Sequence, residues 1–293
     1  MYALVVAAGC GANSATADAA RDATAQRCDV NAPFNAPIAL TNLDSTRDDA
    51  CARLSADELT IVFCRSNADG TYDLYSSTRV NTADPFGAPQ IMGAINSIYT
   101  EVWPALSADG LTLYFNSDRI TPGTLKIFSS HRTTLQSQFQ TPDVETAFAD
   151  NDGQPYITAD GSGLYFASSV RTGAGLSDIF RAPRMASGAI GVPAAVIGGV
   201  DTTADEITPV VSGDELRMFF CRRALATDPC DIYTATRTAV SDGFGAATPL
   251  DGFADPALYE VPTWLSPDGC HLYLYANLPG TMGAGDLYEL TRE

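Results

Sequence analysis

One pattern runs through this chain five times, and that repetition limits the possible folds more than any other feature. Each copy opens on an acid followed by a short strand. A Ser-x-Asp-Gly turn or a relative comes next, then a strongly apolar strand, a polar loop, and a third strand that starts near an aromatic. The opening acids are Asp49, Glu101, Asp152, Glu206 and Glu260, at intervals of 52, 51, 54 and 54 residues. The third-strand aromatics are Tyr75, Phe128, Phe180, Tyr233 and Tyr288, and an arginine follows each by four residues: Arg79, Arg132, Arg184, Arg237 and Arg292. A period in this range marks a stack or ring of small sheet units, none of which can bury its apolar face alone.

Within each unit the periodicity is that of strands. Segments such as Leu59-Thr-Ile-Val-Phe63 and Leu111-Thr-Leu-Tyr-Phe115 are short, β-branched or aromatic, and bounded by turn residues. Asp109-Gly110, Asp160-Gly161 and Asp268-Gly269 read as hairpin turns in which glycine takes the positive φ. A fourth, outer strand is expected to begin at Phe86, Phe139, Ile190 and Phe244, three of them with proline three residues later (Pro89, Pro142 and Pro193). The fifth unit runs out at Glu293 after three strands. Residues 34–43 fit the missing fourth, since Phe34 precedes Asp49 by the same 15 residues as Phe86 precedes Glu101. The expected fold is therefore all-β: a five-bladed β-propeller of four-stranded antiparallel blades, closed by the N-terminal strand.

The Leu-Ser-x-Asp-Gly, Leu-Tyr-Phe, Ser-Asp-Arg and Asp-Ile-Tyr elements resemble the WD40-like (TolB-type, PD40) β-propeller repeat of bacterial envelope proteins over residues 34–293. The sequence departs from that pattern at Glu58 and at Gly213-Asp-Glu215 in the turns, and at Lys126, which replaces a strand-starting Asp. The resemblance implies a binding scaffold and no particular reaction.

Ahead of the repeats, residues 3–9 form an apolar run that ends at Cys10 and resembles a bacterial lipobox, with Cys10 as the lipidated residue. Residues 1–10 are thus expected to be a lipoprotein signal and 11–33 a flexible tether. An exported chain meets an oxidising compartment, and the blade map suggests three cysteine pairs: Cys221 with Cys230, Cys51 with Cys64, and Cys28 with Cys270. A metal site is not expected from the two histidines, His131 and His271, or from any Cys-x-x-Cys.

The first strand of each blade should line the channel, which places the five opening acids at one mouth. Asp44, Asp48, Asp150, Asp201, Asp205 and Asp255 enter the same face. Two carboxylates about 8 Å apart at an effective dielectric of about 20 repel by roughly 2 kcal/mol. Either backbone N–H groups and arginines satisfy this ring or a cation such as Ca2+ does, and the five acids stand as ligand- or cation-binding candidates. The repeated arginines belong to the opposite face, where they are expected to pair with the turn acids Asp57, Asp109, Asp160, Asp214 and Asp268. Trp103 and Trp264 are expected to pack between blades. The chain carries 35 acids against 17 bases, a net charge of −18, which disfavours nucleic-acid binding.

These features point to a monomeric, non-catalytic binding propeller of the cell envelope, lipid-anchored and periplasmic or outer-membrane, or else secreted. It would engage a protein or glycan partner at the acidic channel face and touch the membrane only through its lipid. The alternative is a five-bladed glycoside hydrolase that uses the channel-mouth carboxylates.

Overall fold

A computed structural model describes residues 28–253, 255 and 257–293. Cys10, the signal and most of the tether lie outside the described residues. The described chain forms five sheets of four antiparallel strands. Blade one shows the plan: Asp49–Leu54 pairs with Thr60–Ser66, which pairs with Tyr72–Thr78 and then with the two-residue outer strand Gln90–Ile91. In blade five the inner strands Glu260–Leu265, His271–Ala276 and Asp286–Thr291 are completed by Ile38–Ala39, with Ile38 opposite Glu289 and Ala39 opposite Tyr288. The N-terminal strand closes the ring. Cys28 bonds to Cys270 beside it, and the Cys51–Cys64 and Cys221–Cys230 disulfides also form.

The outer strands begin later than the sequence suggested, just after the prolines, at Gln90, Asp143 and Ala194. The residues read as their first positions have another task. Phe86, Phe139, Phe244 and Phe34 lie beneath Arg79, Arg132, Arg237 and Arg292, with the guanidinium 4.5, 4.7, 4.4 and 3.8 Å from the ring centre. Among the described residues these arginines form no ion pair with the turn aspartates, contrary to expectation, although Arg79 and Arg237 reach the turn glutamates Glu58 and Glu215 at 3.7 and 3.5 Å. Arg79, Arg132 and Arg237 donate from Nε to the carbonyls of Glu58, Gly110 and Glu215 at the turn of their own blade. Arg79, Arg184 and Arg237 also donate to Tyr273, Tyr114 and Tyr165 in a neighbouring blade. The turn aspartates are occupied locally. In every blade the Ser or Thr hydroxyl two residues earlier donates to Asp at 2.6–2.7 Å, and the same carboxylate accepts a backbone N–H two residues on.

The two turn departures are structural. Glu58 and Glu215 take the left-handed conformation that Gly110 holds in blade two, with φ of 60°, 58° and 69°. A side chain there costs roughly 1–2 kcal/mol. The glutamates offset it by tying blades together: Glu215 accepts from Arg181 at 2.8 and 3.0 Å and from the Tyr165 hydroxyl at 2.6 Å, while Glu58 lies 2.7 Å from His271 of blade five.

First strands carry a bulge two residues past the acid. Cys51, Trp103, Gln154 and Thr208 sit there at φ of 49–57°. The preceding blade caps the bulge N–H in blades two to four, from Cys51 Sγ, Asn116 Oδ1 and Gln154 Oε1. Blade five has Pro262 at that position, which has no N–H and cannot reach positive φ, so its register shift moves to between Pro262 and Trp264.

Candidate functional site

All five ring acids are buried, but they are not equivalent. In blades one to four an arginine reaches the acid: Arg65 to Asp49 at 2.5 Å, Arg119 to Glu101 at 2.9 Å, Arg171 to Asp152 at 2.6 Å and Arg222 to Glu206 at 2.8 Å. Each guanidinium also lies over two aromatic rings of its own blade, 4.7–5.9 Å from their centres. The same carboxylates accept the backbone N–H of Ser45, Ser97, Ala149 and Thr202 in their own entering loops, not in an adjacent blade.

Blade five keeps the loop bond, which Glu260 accepts from the backbone of Asp255, but not the arginine. Ala276 stands opposite Glu260, where Arg65 and Arg222 stand opposite Asp49 and Glu206, and Leu274 replaces the first aromatic of the arginine's stack. Glu260 is 1% exposed, and its Oε2 has no hydrogen-bond partner among the described residues. Burial first, then Asp231 and Asp255, push its carboxyl up to about 7.

A second set of acids lies between blades, where the first residue of a third strand meets the next entering loop. Lys126 forms an ion pair with Asp150 there, which accounts for the lysine in an otherwise acidic position. Asp178 faces Asp201. Burial and this neighbour push Asp178 up to about 6, and oxygens of Asp178, Asp201 and Glu206 lie within 4.8 Å of one another. Burial and Asp286 likewise push Asp44 up to about 6. On the turn face Glu58, His271 and Glu289 are similarly close. These two triads are the described groups whose geometry could hold a metal ion.

The channel mouth holds a cavity of about 340 Å³ between blades five, one and two. Tyr72, Trp103, Tyr259 and Tyr275 line it with Asp48, over apolar positions such as Val102 and Val261. Trp103 is therefore not confined between blades; Trp264, 6% exposed, is packed as expected. Tyr72 donates to one Asp48 oxygen at 2.5 Å and Tyr275 to the other at 2.8 Å. Burial and Asp48 push both phenols far up, so they remain protonated donors. Deeper in, the channel is plugged. Tyr156 crosses it to donate to the carbonyls of Val211 and Leu265, and the buried Arg53 lies over its ring.

None of the four aromatics belongs to the repeat. Where Tyr275 stands, the other blades have Cys64, Asn116, Ala167 and Cys221. Tyr259 replaces Asp48, Thr100, Asn151 and Asp205, and Trp103 replaces Cys51, Gln154, Thr208 and Pro262. Tyr72 occupies a position filled elsewhere by Leu125, Ser177, Cys230 and Gly285. Comparing the repeats for residues that break the template would have found all four.

The fold and site define a five-bladed β-propeller with one plugged, cup-shaped channel mouth. Solved structures similar to it include TolB-type propellers and glycoside hydrolases. Among the first is TolB from Acinetobacter baumannii, at 17% identity and a TM-score of 0.52 over 86% of this chain and 56% of that one. The chain thus spans little more than half the length of that relative. Among the second is a GH43_1 enzyme from Xanthomonas citri, at 11% identity and a TM-score of 0.60, covering 86% and 90% of the two chains. Another is an α-L-arabinofuranosidase from Podospora anserina solved with cellotriose, at 11% identity and a TM-score of 0.52, covering 83% and 90%. At these identities the likeness is one of fold. No protein-family model and no curated protein matches the sequence.

Proposed function

We propose that this chain is a non-catalytic binding propeller of the bacterial cell envelope, of the WD40-like, TolB-type kind. It is held to the membrane through a lipid on Cys10 and takes a protein or glycan partner at its acidic channel mouth. The observation that carries this reading is the convergence of four aromatics foreign to the repeat, with Asp48, on a single cavity. A pocket of about 300–1,000 Å³ with a few convergent polar groups is the usual form of a ligand site. The three disulfides suit an oxidising compartment.

The hydrolase reading gains one point from Glu260, whose raised carboxyl is suited to a general acid. Glycosidic cleavage needs two carboxyl groups flanking one bond. Glu260 does not line the cavity, four ring acids are tied to arginines, and Asp48 is held between two phenols.

The test immobilises the purified propeller and exposes it to envelope extract and to a glycan array. A Trp103→Ala/Tyr259→Ala double variant and an aryl-glycoside hydrolysis assay run in parallel. A partner retained by the native protein and lost by the variant, with no glycoside released, supports the reading. Retention that ignores the variant, or steady glycoside turnover, overturns it.

A further inference from the structure

We propose that the channel-mouth cavity is an aromatic cage for a quaternary ammonium group, with Asp48 as its counter-charge; this rests on the reading of that cavity as the ligand site. Fully alkylated ammonium ions donate no hydrogen bonds. They are recognised by the electron-rich faces of aromatic rings around them and by a nearby negative charge.

The walls meet this requirement. Four half-buried aromatics line the space, and the Tyr259 and Tyr275 rings meet edge to face at 76° with centres 5.9 Å apart, so the lining is not a single plane. A flat sugar ring is better matched by a single broad face.

The polar groups point the same way. Both Asp48 oxygens already accept a phenol, which leaves the carboxylate's charge available through space while its hydrogen-bonding capacity is partly occupied. A primary ammonium seeks several acceptors and a sugar seeks a set of donors and acceptors, so each would have to compete with Tyr72 and Tyr275 for Asp48. A quaternary nitrogen competes with neither. Each of the two phenols shares its proton with the carboxylate, which raises the electron density of its ring and makes it more attractive to a cation. Arg223, which lies near Tyr259, donates to Asp205 at 2.7 Å, so its charge is offset locally. The net charge of −18 draws cations to the molecule.

Calorimetric titration of the intact propeller with choline chloride tests the proposal, with 3,3-dimethyl-1-butanol as the uncharged isostere and ethanolamine as the primary amine. Choline is expected to bind saturably, at least tenfold more tightly than either control. Asp48→Asn and Trp103→Ala should each weaken it at least tenfold while leaving the melting temperature near that of the native protein. If a variant unfolds, Tyr259→Leu serves in its place. Phosphatidylcholine vesicles form a separate arm that tells a lipid headgroup from a free solute as the source, and vesicle binding that Trp103→Ala leaves intact overturns the proposal. Equal binding of choline and its isostere, or no choline binding, also overturns it. An envelope partner that still requires Trp103 and Tyr259 in those cases would leave the broader binding role standing.

Discussion

Blades one to four and blade five share a backbone plan and differ in how they treat the same buried acid. In four blades an arginine stacked on two aromatics neutralises it; in the fifth, Ala276 and Leu274 replace that apparatus and no described arginine pairs with Glu260. The same fifth blade supplies Tyr259 and Tyr275 to the cavity and takes its outer strand from the N-terminus. Repetition in this molecule encodes the ring, and some departures from it, such as Glu58 and Glu215, still tie blades together. At the channel mouth the departures instead line a cavity that the ring does not require.

The largest effect should come from breaking one of the four paired blades. Arg222→Met leaves Glu206 buried and unpaired, and should cost about 3–5 kcal/mol in urea unfolding. Adding Glu206→Gln should recover most of that. A single-variant cost below about 1 kcal/mol would mean that the paired acids are not struts.

The seam where blade five meets blade one should respond to alkaline pH. Burial pulls the His271 imidazole down, but its bonds to Glu289 and Glu58 outweigh this and push it up to about 9. A raised folded value gives stability that is fully present below the ordinary histidine value of about 6.5 and is lost as pH climbs to about 9. The loss should be about 2–3 kcal/mol. His271→Gln should flatten that slope, measured as melting temperature against pH; an unchanged slope would remove His271 from the account.

Closure itself can be probed at Phe34, which is half-buried, lies under Arg292 and meets Phe219 edge-on at 5.9 Å. Phe34→Ala should cost about 1–3 kcal/mol. No loss would mean that closure rests on the outer-strand pairing and the Cys28–Cys270 bond alone.

How far the sequence revealed this arrangement depended on fixed spacing. The blades, their turns and the closing strand recur at constant offsets, and the cysteine pairs followed once those strands were placed. The arginines that hold the acids trail them by 16, 18, 19 and 16 residues, because Arg65 and Arg222 stand on the second strand opposite the acid while Arg119 and Arg171 come from the loop after it, and a spacing search passes over them. The regular arginines at the ends of the third strands drew attention instead, and they serve the turns. The cage stayed hidden for another reason: its aromatics come from four template positions in three blades, and only ring closure brings Tyr259 and Tyr275 beside Tyr72 and Trp103.

The smallest expected shift is also the cleanest probe of the difference between blades. Glu260 carries a folded value near 7 against an ordinary value of 4.5, so its contribution to stability is present below about pH 4.5 and lost as pH rises through 7. With allowance for solvent screening, Glu260→Gln should stabilise the protein by about 1–2 kcal/mol at pH 8 and change little at pH 4.

The central asymmetry is measured directly by 13C NMR of the glutamate side-chain carboxyls, followed from pH 3 to pH 9. One glutamate should titrate near pH 7, and that resonance should be missing from Glu260→Gln. If no glutamate titrates there, or if the signal persists in the variant, blade five is not the blade that carries the unpaired acid.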